Sequence, residues 1–238
     1  ASFDIADWWS ISARVGYDQY TTDAYTYIAP EAVTKEMYQN GRLSKSDYTY
    51  NYISTNVMSN FNKKIGDFDF NLLVGTMTES IKNTNQTHWG YNFITAGTVS
   101  FNNIATENKF FTDRTSKHRM VGVYGEFRAA YKNIAYLTVT GRNDWDSTLP
   151  VSDRSYFYPS VSGSFVFTEL LPANNVLSFG KVRASWAQVG KAASPYVTMT
   201  YLRSPYTYGK FNMVGNDWQQ GNGYLKPEIQ RAWEVGAE

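Results

Sequence analysis

Cysteine is absent from the 238-residue chain, which excludes a disulfide framework and a thiolate metal site. A surplus of either charge is also absent: 22 Lys and Arg stand against 21 Asp and Glu, for a net charge of +1. Nucleic-acid binding calls for a basic patch or stripe, so no nucleic-acid partner is expected. No stretch approaches the ~20 apolar residues of a transmembrane helix. Histidine is scarce, with only 2 in the chain, His88 and His118. Neither Gly-x-Ser-x-Gly nor His-Glu-x-x-His occurs. A Ser–His–Asp site is defined by geometry rather than order, yet nothing in the pattern points to chemistry. The sequence is therefore read as a non-enzyme without cofactor. Asp144 and Asp146 form an Asp-x-Asp pair, far short of the ~6–8 oxygens of a calcium site, and no metal is expected.

Aromatic residues are abundant: 17% of the chain, with 19 Tyr and 7 Trp. A soluble β-rich binding protein could reach this level, and so could a membrane barrel with aromatic girdles. The mean hydropathy of −0.44 does not separate them, because barrel strands show lipid only every second residue. Helical periodicity is scarce, whereas period-2 alternation recurs, the mark of strands with two unlike faces. Ile11, Ala13, Val15 and Tyr17 alternate with Ser12, Arg14 and Gly16. Phe68, Phe70, Leu72 and Val74 alternate with Asp69 and Asn71. Val121, Val123, Phe127 and Ala129 oppose Tyr124, Glu126 and Arg128. Leu137 and Val139 oppose Thr138, Thr140 and Arg142, and Val161 and Phe165 oppose Ser160, Ser162 and Ser164. Val182, Ala184 and Trp186 oppose Lys181, Arg183 and Ser185. Between 48 and 61, Tyr48, Tyr50 and Tyr52 lie on one face and Ile53, Val57 and Phe61 on the other, which suggests a bulge or a tyrosine girdle.

A sandwich strand alternates as well, so the spacing of links matters. Short links are read at Asp7-Trp8, Asn62 to Gly66 and Tyr131-Lys132-Asn133, and long ones at 21–46, 81–116 and 191–227. Long–short alternation is the order of outer-membrane barrels, with short periplasmic turns and long extracellular loops. The link at 169–179 is intermediate and sits where a short one is due. A further short strand is expected at Tyr196 to Tyr201. The opening residues ASFDIADWW show no signal-peptide pattern, and both ends read as strand. The expectation is a single partial barrel domain over 1–238, a fragment without signal, plug or closing strands.

The stretch from about 119 to 238 resembles the SusC/RagA-type TonB-dependent outer-membrane transporters. The resemblance rests on LTVTGRNDWDSTLP (137–150), SYFYPSVSGSFVFTEL (155–170), KVRASWAQVG (181–190) and NGYLKPEIQRAWEVGAE (222–238), in that order. WSISARVGYDQY (9–20) matches less sharply. The resemblance implies an all-β, antiparallel transmembrane barrel of about twenty-two strands, closed by an N-terminal plug. It also implies TonB coupling through that N-terminal part and a SusD-like surface lipoprotein as lid. The cargo would be oligosaccharide or peptide, and the place the bacterial outer membrane.

Within that frame, GRNDWDSTLP reads as a strand-end clamp with Trp145 at the interface, charges pairing above it and Pro150 ending the ladder. The alternative is a polar cluster touching cargo or lid. Tyr156, Phe157 and Tyr158 read as girdle residues, with stacking on sugar as the alternative. Arg14, Asp69, Arg128, Arg142, Lys181 and Arg183 are expected to face the lumen, since Lys or Arg in lipid costs ~2–4 kcal/mol at the midplane. Lys181 and Arg183 would pair with plug carboxylates or with residues such as Glu234. The cargo candidates are loop aromatics: Trp89 and Tyr91 in one long loop, Tyr206, Tyr208 and Trp218 in another, to be covered by sugar, lid or neighbouring loops. His88 is placed in a loop and His118 at a strand start. Two other readings compete, a secreted or surface-anchored β-sandwich that binds glycans and an outer-membrane barrel enzyme. A sandwich would bury Phe68, Leu72, Leu137 and Val139 between two sheets.

Overall fold

The computed structural model of the chain describes residues 1–30, 39–172, 177–208, 211–216 and 219–238. Among these, nine strands form one antiparallel sheet in the order β1-β2-β3-β4-β5-β6-β7-β8-β11. The strands are β1 (Ser2–Ala6), β2 (Trp9–Ile28), β3 (Arg42–Ile65), β4 (Phe68–Tyr91), β5 (Lys109–Tyr131), β6 (Ala135–Asp146), β7 (Ser155–Val166), β8 (Lys181–Lys191) and β11 (Glu228–Ala237). Between β8 and β11 a separate hairpin pairs β9 (Leu202–Tyr208) with β10 (Phe211–Asn216). It lies beyond the expected Tyr196 to Tyr201 strand, where Tyr196 instead takes a positive φ of 68°.

The tight turns set the register. Gly66 has φ 59°, as the first central position of a type II′ hairpin requires. Lys132 (φ 47°) and Asn133 (φ 62°) both lie in the left-handed region, the signature of type I′. Lys132 is held there by an ion pair to Asp67 at 2.8 Å. That hydrogen bond also raises the ammonium pKa above its ordinary value. Pro159 sits in the interior of the sheet, where a missing N–H is normally excluded. Its place is explained by the ladders: β6–β7 pairing continues through Gly141↔Pro159, whereas the β7–β8 ladder stops at Ser160↔Ala187.

The long loops read at 21–46 and 81–116 are mostly strand. The strands β2 to β5 hold 20, 24, 24 and 23 residues, against the ~9–11 that cross a membrane. Polar alternation on both faces hid this, since it carries no apolar signal. Trp89, Tyr91 and His88 therefore lie on β4, and His118 lies inside β5 rather than at its start. Gly190 lies on β8, and Gly215 lies on β10.

The chain divides into two compact units. The first (Ala1–Val15, Ser54–Glu79, His118–Glu238) carries the sharpest alternation. In it Phe68, Leu72, Leu137 and Val139 are 45%, 41%, 44% and 41% exposed. No second sheet covers them among the described residues, which is the opposite of a sandwich core. The second unit (Gly16–Ile53, Ser80–Lys117) has a small core of Leu43, Phe93 and Ile104, with Phe101 against it. Its cap is fastened by Asn103, whose amide donates to the carbonyls of Thr95 and Thr98, both at 2.7 Å.

Candidate functional site

The polar face of the first unit is built strand by strand. On β6 the run Tyr136, Thr138, Thr140, Arg142, Asp144 is in register with Ser164, Ser162, Ser160, Tyr158 and Tyr156 on β7. Arg142 Nε donates to Asp144 Oδ1 at 2.8 Å, and the Tyr158 hydroxyl donates to Oδ2 at 2.5 Å. Arg142 also lies over the Tyr124 ring of β5, 6.0 Å from its centroid. The Tyr124 hydroxyl donates to Asn56 Oδ1 on β3 at 2.8 Å. The belt Asn56–Tyr124–Arg142–Asp144–Tyr158 thus crosses β3 to β7.

Glycines make room for this belt. A Cβ on Gly75 would lie 2.6 Å from the Tyr124 ring, and one on Gly122 2.5 Å from Asp144 Oδ1. Large polar side chains can lie flat across the sheet only where the strand beneath lacks a side chain.

The end of β6 closes on Asp146. Its carboxylate accepts from the Thr148 backbone N–H at 2.8 Å and the Thr148 hydroxyl at 2.7 Å. It also meets His118 Nε2 at 2.8 Å. Asp144 and Asp146 are only 3% and 2% exposed, so both are structurally satisfied. This is the strand-end clamp, with one difference: β6 ends at Asp146, ahead of Pro150, because Asp146 caps the following turn. Among the described residues no three His, Asp or Glu side chains gather as metal ligands.

Several further charges of the polar face are paired. Arg183 reaches Glu238 at 3.0 Å and Glu234 at 3.5 Å, and Lys181 reaches Glu238 at 3.9 Å. Arg128 meets Glu126 at 2.7 Å, and Lys64 meets Asp69 at 3.6 Å. Arg14 lies exposed on β2. Asn71 donates to both Asn60 and Asn62, at 2.8 and 2.6 Å. Lys181, Arg183, Glu234 and the hydroxyls of Thr138, Ser162 and Ser185 line a cavity of about 330 Å³.

In the second unit, Trp89 stacks on Phe110 at 4.3 Å and on Tyr91 at 6.0 Å, with Arg42 5.1 Å from its ring centre. These aromatics cover one another, from neighbouring strands rather than loops. Tyr20 stacks on Tyr50 at 4.9 Å and lies 6.0 Å from Tyr48, so these tyrosines gather across β2 and β3. Sequence reading missed Tyr20, Tyr124 and Asn56, whose partners are remote in the chain; glycines facing large residues were the available signal. Trp218 and the side chains of Tyr206 and Tyr208 lie outside the described residues.

The family model for the TonB dependent receptor-like β-barrel matches residues 1–238. TonB-dependent receptor P3 of Formosa agariphila is 28% identical over 200 residues, covering 80% of this chain and 19% of the relative. TonB-dependent receptor P26 of the same organism is 31% identical over 115 residues, covering 46% of this chain and 12% of the relative. The chain thus spans less than a fifth of either relative's length. Among solved structures, the RagAB peptide transporter superposes with a TM-score of 0.85 at 18% identity, covering 99% of this chain and 27% of that one. The RagAB peptide importer in its closed-closed state gives 0.83 at 15% identity, covering 99% and 26%. With a meander sheet, an uncovered apolar face and a match over its whole length, this chain belongs to the TonB-dependent receptor-like β-barrel family of the bacterial outer membrane.

Proposed function

We propose that the chain is part of the wall of a TonB-coupled importer that takes up oligosaccharides or peptides beneath a SusD-like surface lipoprotein. The observation that carries this reading is the division of one sheet into two unlike faces. Phe68, Leu72, Leu137 and Val139 stay exposed on one, while Arg142, Lys181 and Arg183 are paired on the other. That division suits a wall between outer-membrane lipid and a wet lumen. Arg14, Asp69, Arg128, Arg142, Lys181 and Arg183 then line the lumen. Trp89 and Tyr91, with Tyr206, Tyr208 and Trp218, are the proposed cargo contacts. The RagAB structures are described as peptide transporters, which supports peptide. Aromatic faces suit sugar rings, which supports oligosaccharide. Energy coupling and plug belong to the parent protein outside this stretch.

Uptake of labelled oligopeptides and oligosaccharides by cells with and without the parent gene tests the reading. Loss of one uptake in the deletion strain, and equally in a strain without TonB, is expected, together with co-purification of a surface lipoprotein. Unchanged uptake of both classes would refute it.

A further inference from the structure

We propose that the described residues of the link between β7 and β8, 167–172 and 177–180, lie against the acyl chains of the periplasmic leaflet instead of standing in water. It joins the strands at the same end of the sheet as the tight turns, since Val166 N–H donates to Ile134 O at 2.7 Å beside the Lys132-Asn133 turn. Each of those turns carries a charge, Asp7, Asp67 or Lys132, and of their residues only Trp8 is a large exposed apolar one, 49% exposed. The link is unlike them. Leu170, Leu171 and Phe179 are 63%, 48% and 51% exposed, and Leu177 is 41% exposed. Of its described residues, 167–172 and 177–180, Glu169 alone is charged. Exposed apolar groups clustered in this way mark a surface that something apolar covers.

The two described ends of the link are tied to each other. Phe167–Leu170 form a 3-10 turn, and the Phe167 ring packs where a side chain on Gly180 would stand. The Thr168 hydroxyl accepts from Gly180 N–H at 3.0 Å. Its apolar residues continue the uncovered face directly, because Phe165 and Val182, partners in register at the base of the link, are themselves 38% and 44% exposed. On the barrel-wall reading proposed above, lipid occupies that face.

The height of the apolar band points the same way. On β6 it runs from Ala135 to Trp145, roughly 33 Å along the strand at ~3.3 Å per residue, which a tilt of ~40° reduces to about 25 Å, the height of a barrel's lipid band. On β8 it carries Val182, Ala184 and Trp186, which packs on Trp233 at 6.0 Å, and on β11 Ile229 lies further along the same face, 39% exposed. Just past that pair Arg231 donates to Gln188 at 3.1 Å, an arrangement suited to a water interface. At the other end of β8 the exposed apolar residues of the link extend this face past Lys181. A lone carboxylate at Glu169 fits a segment lying at headgroup depth.

This inference needs the barrel wall but not import. The test uses the full-length parent protein, free of other cysteines, in vesicles of phosphatidylethanolamine and phosphatidylglycerol. Spin labels are placed by Leu171→Cys and Phe179→Cys, with Leu137→Cys as the lipid reference and Asp67→Cys as the water reference. Collision with oxygen is compared with collision with a water-soluble nickel chelate. An oxygen-to-nickel ratio about tenfold above that of Asp67→Cys, close to Leu137→Cys, is expected. A ratio equal to that of Asp67→Cys, or protection from both reagents, would overturn the proposal, the latter by showing a protein cover. Should the label at Leu171 prevent folding, Leu170→Cys repeats the measurement. If Leu137→Cys itself reads as water, the wall assignment fails, and this inference with it.

Discussion

Tyr158 donates its hydroxyl to the Asp144 carboxylate at 2.5 Å, across the β6–β7 ladder and beside the Arg142 guanidinium on the other carboxylate oxygen. Asp144 is buried, so its charge depends on both donors. Asp144→Ala should destabilise the folded barrel by about 2–4 kcal/mol, because a buried ion pair broken on one side leaves the other charge unsatisfied. Tyr158→Phe removes one charge-assisted hydrogen bond and should lose only about 1.5–3 kcal/mol. Urea unfolding of the parent protein in lipid vesicles measures both, with Asp144→Ala expected to be the larger loss.

Gly75 lies under the Tyr124 ring. Gly75→Ala should cost about 1–3 kcal/mol through overpacking. The double variant Gly75→Ala/Tyr124→Ala should show less than the sum of the two single losses, since removing the ring frees the space. Strict additivity in the same unfolding assay would contradict the close approach.

Gly41 combines a positive φ of 88° with a Cβ position 2.7 Å from the Phe93 ring. Gly41→Ala should loosen the small core of Leu43, Phe93 and Ile104 by about 1–3 kcal/mol. Hydrogen exchange should quicken at Asn92 and Phe93, whose N–H groups donate to Gly41 and Asn40, while Leu137 and Val139 keep their protection.

Much of the fold was legible because the first unit alternates cleanly: Leu137, Val139, Val161 and Phe165 announce a face by themselves. The tight turns at Asp7-Trp8 and Lys132-Asn133 were legible from the strand pattern, whereas the link read at Asn62 to Gly66 is strand as far as Ile65 and turns at Gly66-Asp67. The second unit was not, since strand stretches such as Lys82 to Trp89 are mostly polar on both sides and read as loop. The belt from Asn56 to Tyr158 was hidden for a different reason. Its bonded neighbours are up to 68 residues apart in the chain, as with Tyr124 and Asn56, and only strand register brings them together. Glu234 was legible as a partner of Arg183 because both sit on the charged side of their strands.

Arg183 bridges Glu234 and Glu238 but is half exposed, and exposed pairs contribute little singly. Arg183→Gln should lower stability by less than about 1 kcal/mol. The charge swap Arg183→Glu/Glu238→Arg should regain part of what Arg183→Glu loses. No recovery in a double-mutant cycle would contradict the pairing.

Val161 and Ser162 are consecutive on β7, Val161 between Val139 and Trp186 and Ser162 between Thr138 and Ser185. The most direct measurement is the folding free energy of Val161→Arg and Ser162→Arg in the full-length protein, inserted into phospholipid vesicles. Val161→Arg is expected to lose about 2–4 kcal/mol, as arginine does when it faces lipid near the midplane, and Ser162→Arg less than about 1 kcal/mol. Equal losses, or a greater loss at Ser162, would contradict the assignment of the two faces to lipid and lumen.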